Sequence, residues 1–389
     1  MAADFDLLWS TLSARYAYFD RKATDWACVK KRYGPEAAEA KSPADFVTLL
    51  ERALDELYDP HTHLKTNTPG STRLIPSGLD VWAEWQDGRA VITQLRPGFS
   101  AEQAGLRPGM RLRSVGGLPV EEAVRRRIGR CVPKDDPKAR AWALLALLAG
   151  THDTPRRLEV EGADGRPRRF ELDRPEHVRV GAARPGPGVA SRVLEGSIGY
   201  LQVRDLGSDE TVPLFDAALD ALRDTGALIL DLRDIPSGGN TSVAEPMLAR
   251  FVERTLGYQR ILPRGGEPWM RTVSPRGPVY RAPLVVLVGR WTASMAEGMA
   301  IGLDGTGRAT VVGTRMAGLN GAVFDLELPN TGIRLSYAAE KLGHLDGTPR
   351  EDFVPPVLVN LADREAAALG DPILEAGLRT ARRLAAAPR

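Results

Sequence analysis

The C-terminal half of the chain repeats one alternation, an apolar run of strand length followed by a stretch of helix length. The runs are Ile198–Val203, Ala227–Leu232, Pro283–Val288 and Thr310–Val312. The helical stretches between them are Val212–Arg223, Val243–Thr255 and Met295–Leu303. Strands that are apolar at nearly every position have no face to give to water. They belong in a sheet covered by helices on both sides, an α/β layer.

Ahead of that layer the pattern changes. At 389 residues the chain is long enough for two or three domains of about 150 residues each. Residues 1–66 predict helices: Phe5, Leu8 and Leu12 recur at helical spacing, as do Phe46, Leu49, Leu50, Leu54 and Leu57 after the start signal Ser42-Pro43-Ala44-Asp45. The second pattern stops at Tyr58-Asp59-Pro60, because the residue before a proline is pushed out of the α region, and the stop delivers His61-Thr62-His63 into a turn. Residues 75–175 predict short strands. Leu79–Trp85 and Ala90–Leu95 flank a Gln86-Asp87-Gly88 turn, a short helix ends at Gly105, and Arg111–Val115 runs into Gly116-Gly117. A helix at Ala139–Leu148 and a hairpin at Gly162–Gly165 close this region. Residues 176–196, with Pro185-Gly186-Pro187-Gly188, read as a linker, and 190–380 as the α/β domain.

Composition removes several functions. The 52 Lys+Arg and 50 Asp+Glu leave a net charge of +2 with no basic stripe, which argues against a nucleic-acid partner held by phosphate contacts. No apolar run approaches the roughly 18 residues of a membrane span. Two cysteines, Cys28 and Cys131, are too few for a disulfide framework and lack zinc spacing, so they are expected to act as small buried hydrophobes. With only 5 histidines, no metal or cofactor is expected. The N-terminus enters a helical pattern at once, without a basic or apolar leader. Either the protein is cytoplasmic or a signal peptide has been removed.

Three segments can carry chemistry. In Leu284–Val288 followed by Gly289-Arg290-Trp291-Thr292-Ala293-Ser294-Met295-Ala296-Glu297, a buried strand turns into a helix with a serine at its start. That puts a hydroxyl at the C-terminal edge of the sheet, where α/β folds open their crevices, beside free helix N–H groups able to stabilise an oxyanion. The plainer reading of Ser294 is an N-cap. In Asp231-Leu232-Arg233-Asp234-Ile235-Pro236-Ser237-Gly238-Gly239 a strand ends in a Gly-Gly pair that offers backbone donors. The plainer reading is a flexible loop with Asp231 and Arg233 ion-paired. In the Asp59-Pro60-His61-Thr62-His63 turn, His61 is a candidate general base, although a lone histidine is more often structural.

Together these segments resemble the C-terminal processing peptidases and their tricorn-core relatives, serine peptidases that carry a PDZ domain. The resemblance rests on Thr292–Glu297, Asp231–Gly239, the Asp59–Thr62 turn, the PDZ-like stretch Pro97–Met110 and the tail from Asp346-Gly347 to Val354-Pro355-Pro356. It implies a multidomain α/β protein: a crotonase-like ββα-spiral catalytic domain, an inserted PDZ domain and an N-terminal helical region. It further implies a serine endopeptidase acting on unfolded or tail-exposed polypeptide, with Ser294 as nucleophile and the N–H groups of Met295 and Gly239 (or Gly238) as oxyanion hole. Ser77, Gly78 and Leu79 would receive a terminal carboxylate. The better-known branch of the family uses a lysine base in a Gly-Lys-Gly turn, whereas the corresponding stretch here, Gly313–Gly321, has none, and Lys341 lies in a different element. The tricorn-like branch uses a histidine, which His61 matches, and a late carboxylate, for which Glu351 is the best match and Asp352 the alternative. Tyr258, Trp269 and Tyr280 are candidate pocket liners. Family habit suggests a periplasmic or secreted bacterial enzyme. A catalytically inactive relative that binds peptide or another ligand is the alternative.

Overall fold

The computed structural model describes residues 1–172, 188–362 and 370–387, and divides into two compact units. The first comprises 1–177, 263–265 and 320–341, and the second the remainder.

The first unit opens with helices α1 (Ala2–Arg15), α2 (Trp26–Glu39) and α3 (Pro43–Asp55). Ser42 caps α3 by accepting the Asp45 N–H at 3.1 Å, as its start signal predicts. The helix ends at Asp55, ahead of the proline, and Tyr58 turns the chain with φ +37°. A short strand β1 (His63–Leu64) follows. Then comes an antiparallel sheet of order β2-β3-β4-β6-β7, from β2 (Val81–Gln86), β3 (Arg89–Leu95), β4 (Arg111–Val115), β6 (Arg156–Glu161) and β7 (Pro167–Leu172), with β5 (Leu118–Pro119) pairing β4. Asp87 and Gly88 both have positive φ, as do Gly116 and Gly117, so both predicted turns have the backbone a tight hairpin requires. Helices α4 (Ser100–Gln103), α5 (Val120–Arg127) and α6 (Pro137–Ala149) complete this stretch, and α5 had no counterpart in the sequence reading.

Two expectations fail here. Cys28 and Cys131 are joined in a disulfide, with Cα atoms 5.7 Å apart, not packed as free thiols. Folding brings α2 and the segment after α5 together across 103 residues, a proximity no local spacing encodes. The supposed linker is also partly strand: β8 (Val189–Leu194) pairs antiparallel with β9 (Ile198–Val203) as the edge of the second unit's sheet. The rest of that stretch, 176–187, lies outside the described residues.

The second unit is the α/β layer. Its sheet runs β19-β16-β14-β10-β9-β8, parallel except for β8, from β10 (Ala227–Asp231), β14 (Leu284–Val288), β16 (Ala309–Gly313) and β19 (Val357–Leu358). Alternate residues serve opposite faces. Leu228, Leu230 and Val286 pack with α7 (Thr211–Ala221), α8 (Thr241–Leu248) and α9 (Met295–Gly305), while Ile229, Val285 and Leu287 pack with α10 (Pro372–Ala386). The helix expected over Val243–Thr255 stops at Leu248, and β12 (Leu256–Pro263) and β13 (Trp269–Val273) form a hairpin after it. Short parallel strands β11 (Asp234–Ile235) and β15 (Trp291–Thr292) join the two loops at the sheet's C-terminal edge. Between β16 and β19 the chain contributes β17 (Ala322–Glu327) and β18 (Arg334–Gly343), whose pairing with β1 lies in the first unit.

Candidate active site

Ser294 is the residue that joins β15 to α9. An ordinary N-cap lies in the extended region, but Ser294 has φ +53° and ψ −112°. A non-glycine residue in that conformation is strained and persists only where its surroundings over-determine it. Here they do. Thr292 Oγ1 donates to Leu232 O at 2.8 Å and accepts the Gly289 N–H at 3.0 Å. Ala293 N–H donates to Ile235 O at 3.2 Å, and Ala317 N–H to Thr292 O at 3.1 Å. The threonine of Thr-Ala-Ser thus ties the serine turn to the end of β10, a role the sequence did not reveal.

Glu297 is fully buried one turn beyond the serine. Its Oε2 accepts the Ser294 N–H at 2.7 Å and the Leu319 N–H at 3.3 Å, and its Oε1 accepts the Gly318 N–H at 2.8 Å. Burial pushes its carboxyl above the ordinary range, opposed by the Arg350 charge and these three donors. This is a structural role.

The Gly-Gly loop is glycine for steric reasons. A Cβ on Gly238, whose φ is +70°, would lie 2.5 Å from Ser294 Cβ and 3.0 Å from its Oγ. A Cβ on Gly239 would lie 2.3 Å from Leu206 Cβ. Gly238 N–H is turned back to Ile235 O at 3.4 Å, whereas the Met295 and Gly239 N–H groups have no acceptor among the described residues. Upstream, Asp231 is buried against Arg233, which donates to both carboxylate oxygens, and accepts from Tyr200 Oη at 2.6 Å. Arg233 also reaches Asp371 at 2.7 Å, so this ion pair is the structural one of the plainer reading and it anchors the loop.

Glu351 and Asp352 occupy a one-turn 3-10 helix, Arg350–Asp352, in the same unit as Ser294. Its backbone approaches the serine's support: the Glu351 carbonyl is 3.4 Å from the Cβ position on Gly318. Of the candidate liners, Tyr258 and Tyr280 are core residues, with Tyr258 Oη on Glu245 and Tyr280 Oη against Thr225, and only Trp269 is exposed. Burial pushes the Tyr258 hydroxyl far above its ordinary range.

The remaining candidates belong to the first unit. His61 follows the buried Asp59, whose carboxylate accepts from Tyr16 Oη at 2.8 Å, Thr62 Oγ1 at 2.9 Å and His61 N–H at 3.0 Å. The His61 Nδ1 is 2.6 Å from Asn320 O. A carbonyl can only accept, so Nδ1 carries a proton, and in the neutral imidazole that leaves the lone pair on Nε2, the tautomer a general base needs. His63 instead bonds its own strand, with Nδ1 on Leu64 O at 2.9 Å, and burial lowers its pKa. Lys341 donates to Asp20 at 2.5 Å, forming an ion pair, and lies over Tyr18. Ser77–Leu79 form a tight turn in which Gly78 N–H donates to Leu74 O at 2.6 Å and Leu79 N–H to Pro76 O at 3.0 Å. Two of the donors expected to receive a carboxylate, the Gly78 and Leu79 N–H groups, are therefore engaged locally. Among the described residues, no group of three or more His, Cys, Asp and Glu could hold a metal ion.

The profile of peptidase family S41 matches residues 197–352, and that of the tricorn protease C1 domain matches residues 1–55. Residues 197–352 thus carry a peptidase family S41 domain. The chain is 25% identical over 356 residues to the carboxy-terminal processing protease CtpA of Bacillus subtilis (strain 168), covering 89% of this chain and 70% of that protein. It is 26% identical over 384 residues to the carboxyl-terminal-processing protease of Synechocystis sp., covering 91% and 81%. The S41 fold is shared with solved structures. The photosystem II D1 C-terminal processing protease superposes with a TM-score of 0.60 at 19% identity, over 99% of this chain and 97% of that one. Mature CPAF in complex with lactacystin gives 0.64 at 17% identity over the same shares.

Proposed function

We propose that this S41 peptidase is a serine endopeptidase that cuts unfolded or tail-exposed polypeptide. Ser294 Oγ attacks the scissile carbonyl, His61 Nε2 takes its proton, and Glu351 completes the polar network. The tetrahedral oxyanion is held by the Met295 and Gly239 N–H groups; its collapse breaks the C–N bond, His61 passes the proton to the leaving amine, and water then hydrolyses the acyl-enzyme to release the acid and free Ser294. One observation supports this most: Ser294 is held at φ +53° against a glycine that only a missing side chain allows so close, beside two backbone donors without acceptors among the described residues. A mere N-cap needs none of that. A histidine base is favoured over lysine by the Nδ1–H tautomer of His61 and by the ion pair that occupies Lys341.

The domain reading follows from the same resemblance: residues 1–66 a helical region bearing the base, 75–175 a PDZ-type domain, and 190–380 a catalytic domain with a crotonase-like ββα spiral. Support for the PDZ reading is a small antiparallel sheet whose edge strand β2 lies beside α6, with Trp85 Nε1 donating to Arg140 O at 3.3 Å. An extended segment would add to that edge. A terminal carboxylate arriving at Ser77–Leu79 would displace the two bonds of their turn. The test is digestion of reduced casein read by mass spectrometry. Wild type is expected to release fragments, and folded Ser294→Ala none. Fragments of equal yield from Ser294→Ala would overturn the assignment, and no cutting by wild type would favour a binding protein.

A further inference from the structure

We propose that Arg350 is a positioning residue for the peptidase reaction, its guanidinium clamping the Ser294 carbonyl and thereby holding the nucleophile in its strained conformation. The proposal rests on the peptidase reading of Ser294. Arg350 is 2% exposed and opens the 3-10 turn that continues into Glu351. One terminal nitrogen donates to Ser294 O at 3.2 Å, the other to Leu319 O at 2.9 Å. Glu297 grips the same two segments from the amide side, accepting Ser294 N–H at 2.7 Å and Leu319 N–H at 3.3 Å.

Ser294 is thus held at both ends of its two soft dihedrals, its N–H by a carboxylate and its C=O by a guanidinium. The same pair bonds both the N–H and the C=O of Leu319. Released from either, Ser294 can relax toward the extended conformation of an ordinary N-cap, and its Oγ direction changes with it. The arginine's planar fork suits this task, because its two donors diverge in fixed geometry to two separate carbonyls. Its charge also balances a carboxylate buried with no water to screen it. No residue pattern in the sequence marks Arg350, since it lies 56 positions beyond the serine it supports.

The experiment measures kcat and KM on dye-labelled casein, with thermal melts, for wild type, Arg350→Lys and Arg350→Met. Arg350→Lys keeps the charge beside Glu297 but not the fork. It is expected to fold and to lose about tenfold in kcat, with KM within about threefold of wild type. Arg350→Met is expected to lose about 10²-fold in kcat, the scale set by a misplacement near 1 Å. Folded Arg350→Lys with wild-type kcat would overturn the proposal, as would a loss carried by KM. If Arg350→Met does not fold, Arg350→Lys decides alone. Wild type that cuts while Arg350→Lys is unimpaired defeats this proposal only. Wild type that does not cut defeats the peptidase reading, and this proposal with it.

Discussion

Ser294 and Gly238 constrain each other directly. The glycine holds φ +70°, and a methyl group there would sit 2.5 Å from the serine's own Cβ. Gly238→Ala therefore meets two penalties, a left-handed backbone that alanine resists and a collision with the nucleophile. It is expected to lower kcat/KM by about 10²-fold or more and to cost on the order of 1 kcal/mol of stability. Activity assays and a thermal melt of the same preparation check both. An active Gly238→Ala enzyme would mean that Ser294 can move aside without loss, contrary to the strain argument. At this scale the strings that hold Ser294, the Gly-Gly pair and His61 were legible, each open to a plainer reading, and only their joint family resemblance assigned them chemistry. The clamps were not: Thr292 bonds Leu232 across 60 positions, and the Arg350 bond to Ser294 spans 56.

At the scale of elements, the sequence was most informative where one pattern served one purpose. The apolar strands β9, β10, β14 and β16 lie within a residue or two of their expected limits because both of their faces are buried. It was least informative where a short segment owes its form to a distant neighbour. β8 is a strand because it can pair with β9, although only Val189 of its six residues is buried. The disulfide belongs with these cases. It ties α2 to the segment after α5, and a second device reinforces the junction: the buried Glu56 carboxylate accepts from Tyr33 Oη at 2.7 Å, Arg130 N–H at 2.7 Å and Cys131 N–H at 2.9 Å. The crosslink closes a loop of 103 residues, for which chain entropy assigns about 4–5 kcal/mol. Reduction is expected to lower the melting temperature of the transition that includes this unit by on the order of 10 °C. The Cys28→Ser/Cys131→Ser variant should melt at one temperature with or without reductant. No shift on reduction would show that the thiols are unpaired.

For the whole molecule, buried arginine–aspartate pairs contribute to the response to acid, Arg156–Asp80 in the first unit and Arg233–Asp231 in the second. Burial alone would push the Asp80 and Asp231 carboxyls up, but the charges and hydrogen bonds of Arg156 and Arg233 outweigh it and hold both below the ordinary 3.8. A carboxyl depressed in the folded state lends stability that is complete above its unfolded value and is lost as the pH falls through the folded one. Melting temperature is therefore expected to be level near neutrality and to fall below about pH 4. Asp80→Asn should melt lower at pH 7 and show a shallower decline in acid, and an unchanged acid slope would exclude Asp80 as a contributor. The proposed chemistry is a serine activated by histidine. The most direct measurement is the rate and site of fluorophosphonate labelling as a function of pH in wild type, His61→Ala and Lys341→Ala. The expected result is a single adduct on Ser294, a rate that rises with pH across the imidazole range in wild type and in Lys341→Ala, and near-complete loss of labelling in folded His61→Ala. Labelling that survives in His61→Ala and disappears in Lys341→Ala would contradict it.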